Sequence, residues 1–248
     1  MSVVIDLNSD LGEGAGNDAA IMPFVTSANI ACGAHAGDDQ TMRETIALAV
    51  RHGVAVGAHP GYRDKPNFGR VALDIAPEEL LADLRSQVGA LADAAKDAGV
   101  SLAHVKAHGA LYNRGERDDA IARIIVRSTG AWPGVALYAP PGSAMERAAI
   151  GAGVRVAREG FVDRAYEPDG TLRPRRLPGA VIDDPAAAAA QALAFVRDGG
   201  VRATDGSFLP LEVDTLCLHG DAPAAPRVAR AVRDALDAAG VAVRALAR

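Results

Sequence analysis

A single β/α barrel of about seven parallel strands is the fold the sequence predicts, and three observations predict it. A helical pattern repeatedly runs into glycine and then valine, at Gly53-Val54, Gly99-Val100, Gly153-Val154 and Gly240-Val241. Glycine just past a helix accepts the left-handed conformation that stops it. Short apolar runs alternate with helical patterns of roughly 10–20 residues, which implies βαβ units and a parallel sheet. The 248 residues hold seven or so such units, the size of a closed barrel. A doubly wound open sheet is the alternative on the same pattern. No linker or domain boundary interrupts residues 1–248, so one domain is expected.

The elements follow in order. Val3–Leu7 reads as the first strand and Val25–Ala31 as the second. Met42, Ile46, Ala49 and Val50 then form one helical face behind a cap at Asp38 or Asp39. Val54–Ala58 is the third strand. Pro77 opens a helix whose Leu80, Leu84, Val88, Leu91 and Ala95 recur at steps of four, four, three and four. Leu102–Lys106, Val135–Tyr138 and Val154–Ala157 continue the strand series, with a weaker candidate at Ala180–Ile182. Ala186–Ala190 is most simply helix. Val201–Val213 breaks the pattern, and its Asp205-Gly206 reads as a two-residue hairpin turn. Thr215–Leu218 is the last strand, followed by a helix carrying Val228, Val232, Ala235 and Leu236.

Composition removes several function classes. The formal charge of −5 and a pI near 5.7 argue against a nucleic-acid footprint. Aromatics, at 4%, are too sparse for a base-stacking surface. No apolar run reaches the ~18 residues of a membrane span, and the N-terminus lacks a signal peptide's basic region. Two cysteines, Cys32 and Cys217, form no disulfide framework, which points to the cytoplasm. Only Lys65, Lys96 and Lys106 represent lysine among 26 basic residues, so a lysine kept against arginine marks a position that needs a compact ammonium.

Polar residues gather where a barrel keeps its chemistry, just past the strands. Asp6, Asn8, Asp10 and Glu13 follow the first strand, and Asn29, Cys32, His35 and Asp38 the second. His59, Tyr62 and Asp64 follow the third; Lys106, His108, Tyr112 and Asn113 the fourth. Glu159, Asp163 and Arg164 follow the sixth, and His219 and Asp221 the last. Strand alternation puts Leu102, His104, Lys106 and His108 on one face. His104 and Lys106 therefore aim into the barrel, where Asp6 or Glu159 could supply the counter-charge Lys106 needs. His104 reads as a hydrogen-bonded core residue and both cysteines as small core residues. Arg173, Arg175 and Arg176 read as a solvated loop.

No P-loop, G-x-S-x-G elbow, H-E-x-x-H or C-x-x-C occurs. Gly12, Gly14 and Gly16 only mimic a dinucleotide fingerprint, because Asp10 and Glu13 would repel a pyrophosphate.

Six blocks in order resemble the LamB/YcsF family. Asp6-Leu7-Asn8-Ser9-Asp10-Leu11-Gly12-Glu13 is similar to its opening motif. Ser27-Ala28-Asn29-Ile30-Ala31-Cys32-Gly33 with His35-Ala36-Gly37-Asp38 resembles the second block. Gly57-Ala58-His59-Pro60, with Tyr62, Asp64 and Phe68-Gly69-Arg70, resembles the third. The run from Val105 to Asn113 resembles the fourth. Glu159 with Asp163-Arg164-Ala165-Tyr166, and Cys217-Leu218-His219-Gly220-Asp221, complete the set. Ala107 and Arg63 stand where the family usually has proline, Val71 where it has arginine, and Val162 where alanine is common. These departures touch loop shape more than ionisable groups.

The resemblance implies a distorted barrel like that of polysaccharide deacetylases. It implies the A subunit of an ATP-dependent 5-oxoprolinase, opening 5-oxo-L-proline to L-glutamate with B and C subunits. A base and an acid are then sought among Asp10, His35, His59 and His108. Asp6, Asn8, Glu13, Lys106, Glu159, Asp163, Arg164 and His219 would bind substrate, with Lys106 and Arg164 holding anions. ATP could be held by a partner. The spacing demands no metal, and activity without tightly bound zinc is expected. One rival is a stand-alone metal-dependent deacetylase or amidohydrolase with Asp10, His35 and His59 on zinc. The other is a non-catalytic regulatory subunit.

Overall fold

Residues 3–246 are described by a computed structural model. Seven parallel strands close into a ring: β1 (Val4–Leu11), β2 (Ser27–Ala31), β3 (Ala55–His59), β4 (His104–Lys106), β5 (Ala136–Ala139), β6 (Val156–Phe161) and β9 (Thr215–His219). The ring shuts where β9 pairs with β1, Asp6 opposite Thr215 and Asp10 opposite His219. That closure excludes the open-sheet alternative. Helices α1 (Asp18–Ile21), α2 (Asp39–His52), α3 (Pro77–Asp97), α4 (Gly109–Arg117), α5 (Asp119–Thr129), α6 (Ala144–Gly151), α7 (Pro185–Asp198) and α8 (Ala225–Ala238) intervene. A two-stranded ribbon of β7 (Gly200–Arg202) and β8 (Phe208–Pro210) stands apart, and β10 (Ala242–Val243) pairs with the first residues of β1. Among the described residues, no helix is long and apolar enough to cross a membrane.

Local chemistry explains the helix limits. The Asp38 carboxylate accepts from the Thr41 N–H at 2.8 Å and caps α2. Gly53 ends that helix at φ 67°. The expected face of α3 is buried throughout, from Leu80 to Ala95.

The strands have two unlike faces. Leu7, Ile30, Val56, Val105, Leu137 and Leu216 point outward into one apolar core with Ile46, Leu84, Val88 and Val232 of the helices. The inward face is polar. Branched aliphatic side chains usually fill a barrel of this kind; here Asp6, Asn8, Asn29, His104, Lys106, Tyr138, Glu159 and Thr215 do, all buried. They are held by hydrogen bonds, as buried polar groups must be. Asp6 accepts from Thr215 at 2.6 Å, Thr26 and Ser27 at 2.7 Å and Tyr138 at 3.0 Å. Asn29 donates to Asn8 at 2.7 Å and to Asp10 at 2.8 Å. His104 Nε2 donates to Asn29 Oδ1 at 2.7 Å, and its ring stacks on Tyr138 with centroids 4.1 Å apart. Gly57 makes that possible, since a Cβ there would collide with the His104 imidazole.

Three expectations about elements need correction. The first strand continues to Leu11 instead of ending at Leu7. Asn8 and Asp10 look like loop formers in sequence, yet the lumen gives them partners, so the strand persists. Ala180–Ile182 is not a strand of the barrel; Val181 makes only an isolated bridge to Arg164. The ribbon's turn spans residues 203–207 rather than two residues, with Ala203 N–H bonded to Ser207 O at 2.8 Å and Gly206 at φ 87°.

Candidate active site

The C-terminal ends of the strands open into a cavity of about 750 Å³, within the range of small-molecule sites. Its floor carries Asp10, Glu13, His59, Lys106, His108 and His219. Arg70, Arg164, Arg175 and Arg176 line its walls.

Lys106 comes from the inward face of β4, and the protein itself surrounds its ammonium. Nζ donates to Asp10 Oδ1 at 2.8 Å and to Cys217 Sγ at 3.0 Å, and Glu159 Oε1 stands 3.2 Å away. Burial alone would lower this lysine's pKa; Asp10 and Glu159 outweigh it and hold the group well above its ordinary value. Glu159 is thus the counter-charge expected from sequence, joined by Asp10. Asp6 is not, because its oxygens are taken by four hydroxyls. Burial likewise pushes Asp10 up, and His59, Lys106 and His219 pull it well below the usual carboxylate range.

Above Lys106, three imidazoles meet one carboxylate. His59 Nδ1 bonds the Lys106 carbonyl at 2.8 Å, and His108 Nε2 bonds the Phe68 carbonyl at 2.9 Å. His108 Nδ1 and His59 Nε2 face each other at 3.0 Å. Glu13 Oε1 lies 3.1 Å from His35 Nε2, 3.3 Å from His108 Nδ1 and 3.8 Å from His59 Nε2. One donor atom from each of these four residues falls within 4.8 Å of the others. Burial lowers His35 to about 4 despite the Glu13 bond, and lowers His108 as well. His59 is raised, since Asp10 at 3.4 Å overcomes burial. The zinc set of the rival reading is altered here: His35 and His59 keep company with Glu13 and His108, while Asp10 turns one oxygen to Lys106 and Asn29.

A second pair stands across the floor. Asp163 holds His219 Nδ1 at 2.9 Å and accepts the His219 backbone N–H at 2.8 Å. That fixes the ring so that Nε2 faces Asp10 Oδ2 at 3.9 Å. Burial raises Asp163, but His219 outweighs it and keeps the carboxyl below its ordinary value. A carboxylate orienting an imidazole in a cleft is the arrangement general acid–base catalysis uses.

Arg164 is anchored through the Ala180 and Arg173 carbonyls, at 3.1 and 2.6 Å. Burial, then the neighbouring Arg175, lowers it to about 10, so it stays cationic at neutral pH.

The expected residues thus separate. Asp10, Glu13, His35, His59, Lys106, His108, Glu159, Asp163 and His219 meet at or beneath the mouth, with Arg164 in its wall. Asp6 lies about 13 Å along β1 from Asp10, and Asn8 is bound to Asn29 and Thr215, at 2.7 Å each. Both are lumen residues. Arg70, Arg175 and Arg176 at the mouth are not expected from sequence, where the last two look like solvated loop. The signal for Arg175 and Arg176 is their place, a basic run in the segment that follows the Asp163-Arg164 strand end; Arg70 follows the third strand.

The model of the LamB/YcsF family matches residues 5–248. This chain belongs to the LamB/YcsF family. Among its relatives, a Symbiobacterium thermophilum protein that bears the name of the 5-oxoprolinase A subunit is 52% identical over 247 residues, covering 97% of this chain and 95% of that one. The protein of the same name from Methylococcus capsulatus is 50% identical and covers 99% and 97%. The crystal structure of a lactam utilization protein from Thermus thermophilus superposes with a TM-score of 0.92 at 48% identity, over 98% of this chain and all of that one. A family 4 carbohydrate esterase from Streptomyces lividans shares the barrel alone, with a TM-score of 0.51 at 10% identity over 99% and 93% of the two chains. For this LamB/YcsF member, the deacetylase-like barrel expected from the motifs is therefore the observed fold.

Proposed function

We propose that this chain is the A subunit of an ATP-dependent 5-oxoprolinase, acting with B and C subunits to open 5-oxo-L-proline to L-glutamate. The names of its relatives support the substrate. The observation that carries the chemistry is the Asp163–His219 pair facing a cavity walled by arginines.

Amide resonance protects a five-membered lactam. Opening it breaks the ring C–N bond, forms a C–O bond to water and delivers a proton to the departing nitrogen. ATP can supply the driving force by transferring its γ-phosphoryl group to the lactam oxygen and leaving as ADP. The water that opens the ring then leaves an acyl phosphate, and a second water releases inorganic phosphate and the glutamate carboxylate. No phosphate-binding loop occurs in this sequence, so ATP falls to a partner. His219 Nε2, with its other nitrogen held by Asp163, is the group suited to take a proton from water and return one to nitrogen. Arg164, Arg175 and Arg176 suit the substrate carboxylate and any phosphoryl group, as guanidinium forks match such anions.

The test mixes this protein with its B and C partners and follows glutamate release from 5-oxoproline and ATP, omitting each component in turn. Release is expected only from the complete set. Robust release by this chain alone would refute the division of labour. A stand-alone amidohydrolase is the second reading, favoured by the histidine–glutamate cluster, and ATP-independent amide cleavage by the isolated chain would select it.

A further inference from the structure

We infer that Glu13, His59 and His108 form a three-ligand site for a zinc-class divalent cation, with His35 as a positioning residue. Proton positions come first. A carbonyl oxygen can only accept, so the Lys106 carbonyl at 2.8 Å requires the proton of His59 on Nδ1. By the same rule the Phe68 carbonyl at 2.9 Å requires the proton of His108 on Nε2. In the neutral rings the two remaining nitrogens, His59 Nε2 and His108 Nδ1, then face each other at 3.0 Å with lone pairs only, so they share either a proton, which Asp10 favours on His59, or a metal ion. Backbone carbonyls that fix a ring's tautomer and aim its free nitrogen are the usual outer support of metal-binding histidines.

Distances agree. Four ligands at zinc bond lengths of about 2.1 Å lie about 3.4 Å from one another. The three edges here are 3.0, 3.3 and 3.8 Å. Three imidazole and carboxylate ligands leave a fourth position toward the cavity, the pattern of reactive zinc sites. Nitrogen ligands select against magnesium and calcium, which take oxygen.

His35 is excluded from the ligand set by its own packing. Its ring stacks on His108 with centroids 3.7 Å apart and planes within 2°. Lone pairs lie in the ring plane, so two parallel stacked rings cannot both point at one ion. His35 instead bonds Glu13 Oε1 at 3.1 Å and holds that carboxylate in place.

Charge supplies an independent observation. Asp10 and Glu159 face the Lys106 ammonium at 2.8 and 3.2 Å, whereas the partly buried Glu13 carboxylate pairs with imidazoles alone among the described residues. A carboxylate held away from water without a cation is costly. A divalent cation bound with the imidazoles compensates it. The site differs from the expectation drawn from sequence spacing, which demanded no metal.

The experiment reads metal, not turnover, and so stands or falls apart from the 5-oxoprolinase reading. Chelator-treated protein is titrated with Co²⁺, followed by its visible absorption, and zinc is then competed against it with bound metal measured by elemental analysis. One equivalent with a low-symmetry cobalt spectrum is expected. Glu13→Gln, a near-isosteric change, and His108→Ala should each weaken binding by more than the ~10–100-fold typical of outer-shell changes. His35→Ala should weaken it by about 10–100-fold at unchanged stoichiometry, with His35→Gln, which restores a donor to Glu13, recovering most of the loss. Thermal melts identify any variant that fails to fold. No stoichiometric uptake by the wild-type protein, or wild-type affinity in folded Glu13→Gln, would overturn the site. Complete loss of binding in folded His35→Ala would overturn the three-ligand assignment.

Discussion

Lys106→Met tests whether this lysine serves the fold or the substrate. The ammonium is 2% exposed, with Asp10 Oδ1 at 2.8 Å and Glu159 Oε1 at 3.2 Å. Methionine fills much of the same volume but leaves two carboxylates without their cation. Breaking one side of a buried ion pair costs about 3–5 kcal/mol. In a chain of this size each kcal/mol moves the melting temperature by about 2–4 °C, so a fall of roughly 6–20 °C is expected. Lys106→Arg should not restore it, because the wider planar fork does not fit a space shaped by Cys217 and Asp10. Lys106→Met combined with Glu159→Gln should lose less than the two single changes together, since it removes an orphaned charge along with its partner. Thermal unfolding by circular dichroism and glutamate release per folded molecule are measured on one preparation. A folded Lys106→Met protein melting within a degree or two of wild type, but with weakened 5-oxoproline binding, would refute the structural account and return the residue to anion binding.

His219→Gln should leave the melting temperature near wild type and cut the turnover of the complete enzyme by about 10²–10⁴-fold, checked by steady-state kinetics of the reconstituted system. Gly57→Ala should destabilise the barrel by about 1–3 kcal/mol through overpacking against His104, read from denaturant unfolding. Asp214 carries a pH dependence. Burial raises its carboxyl, yet the bonds from Arg158 outweigh this and hold it below its ordinary 3.8. Its stabilising contribution is therefore full above pH 3.8 and disappears as pH falls through the depressed folded value. The stability gap between wild type and Asp214→Asn, followed by melts across pH, should accordingly be largest near neutrality and close in acid.

Much of this barrel was legible because two physical signals are local. Glycine after a helix marks its end, and period-two alternation assigns a strand's faces; together they located the strands and aimed His104 and Lys106 inward. The placement of four histidines just past strands likewise announced the mouth. What escaped was set by tertiary partners. Asn8 and Asp10 continue β1 only because Asn29, Thr215 and Lys106 await them from other strands. Glu13 and His108 join His59 through loop conformations that no spacing encodes. Arg175 and Arg176 border the cavity because the segment after β6 folds back over it, whereas in sequence they are merely basic residues between prolines.

The seam of the barrel joins Asp6 to Thr215 across 209 positions. During synthesis the first strand leaves the ribosome long before its second neighbour exists, so any sheet formed before then is an open trough. In most barrels that trough would display aliphatic side chains and invite aggregation. Here its inner wall offers hydroxyls, amides and ionised groups, which water solvates until the last strand arrives. An open half-barrel of this chain would thus carry a wettable inner wall, and the seam's hydrogen bonds form only in the register that sets Asp6 opposite Thr215.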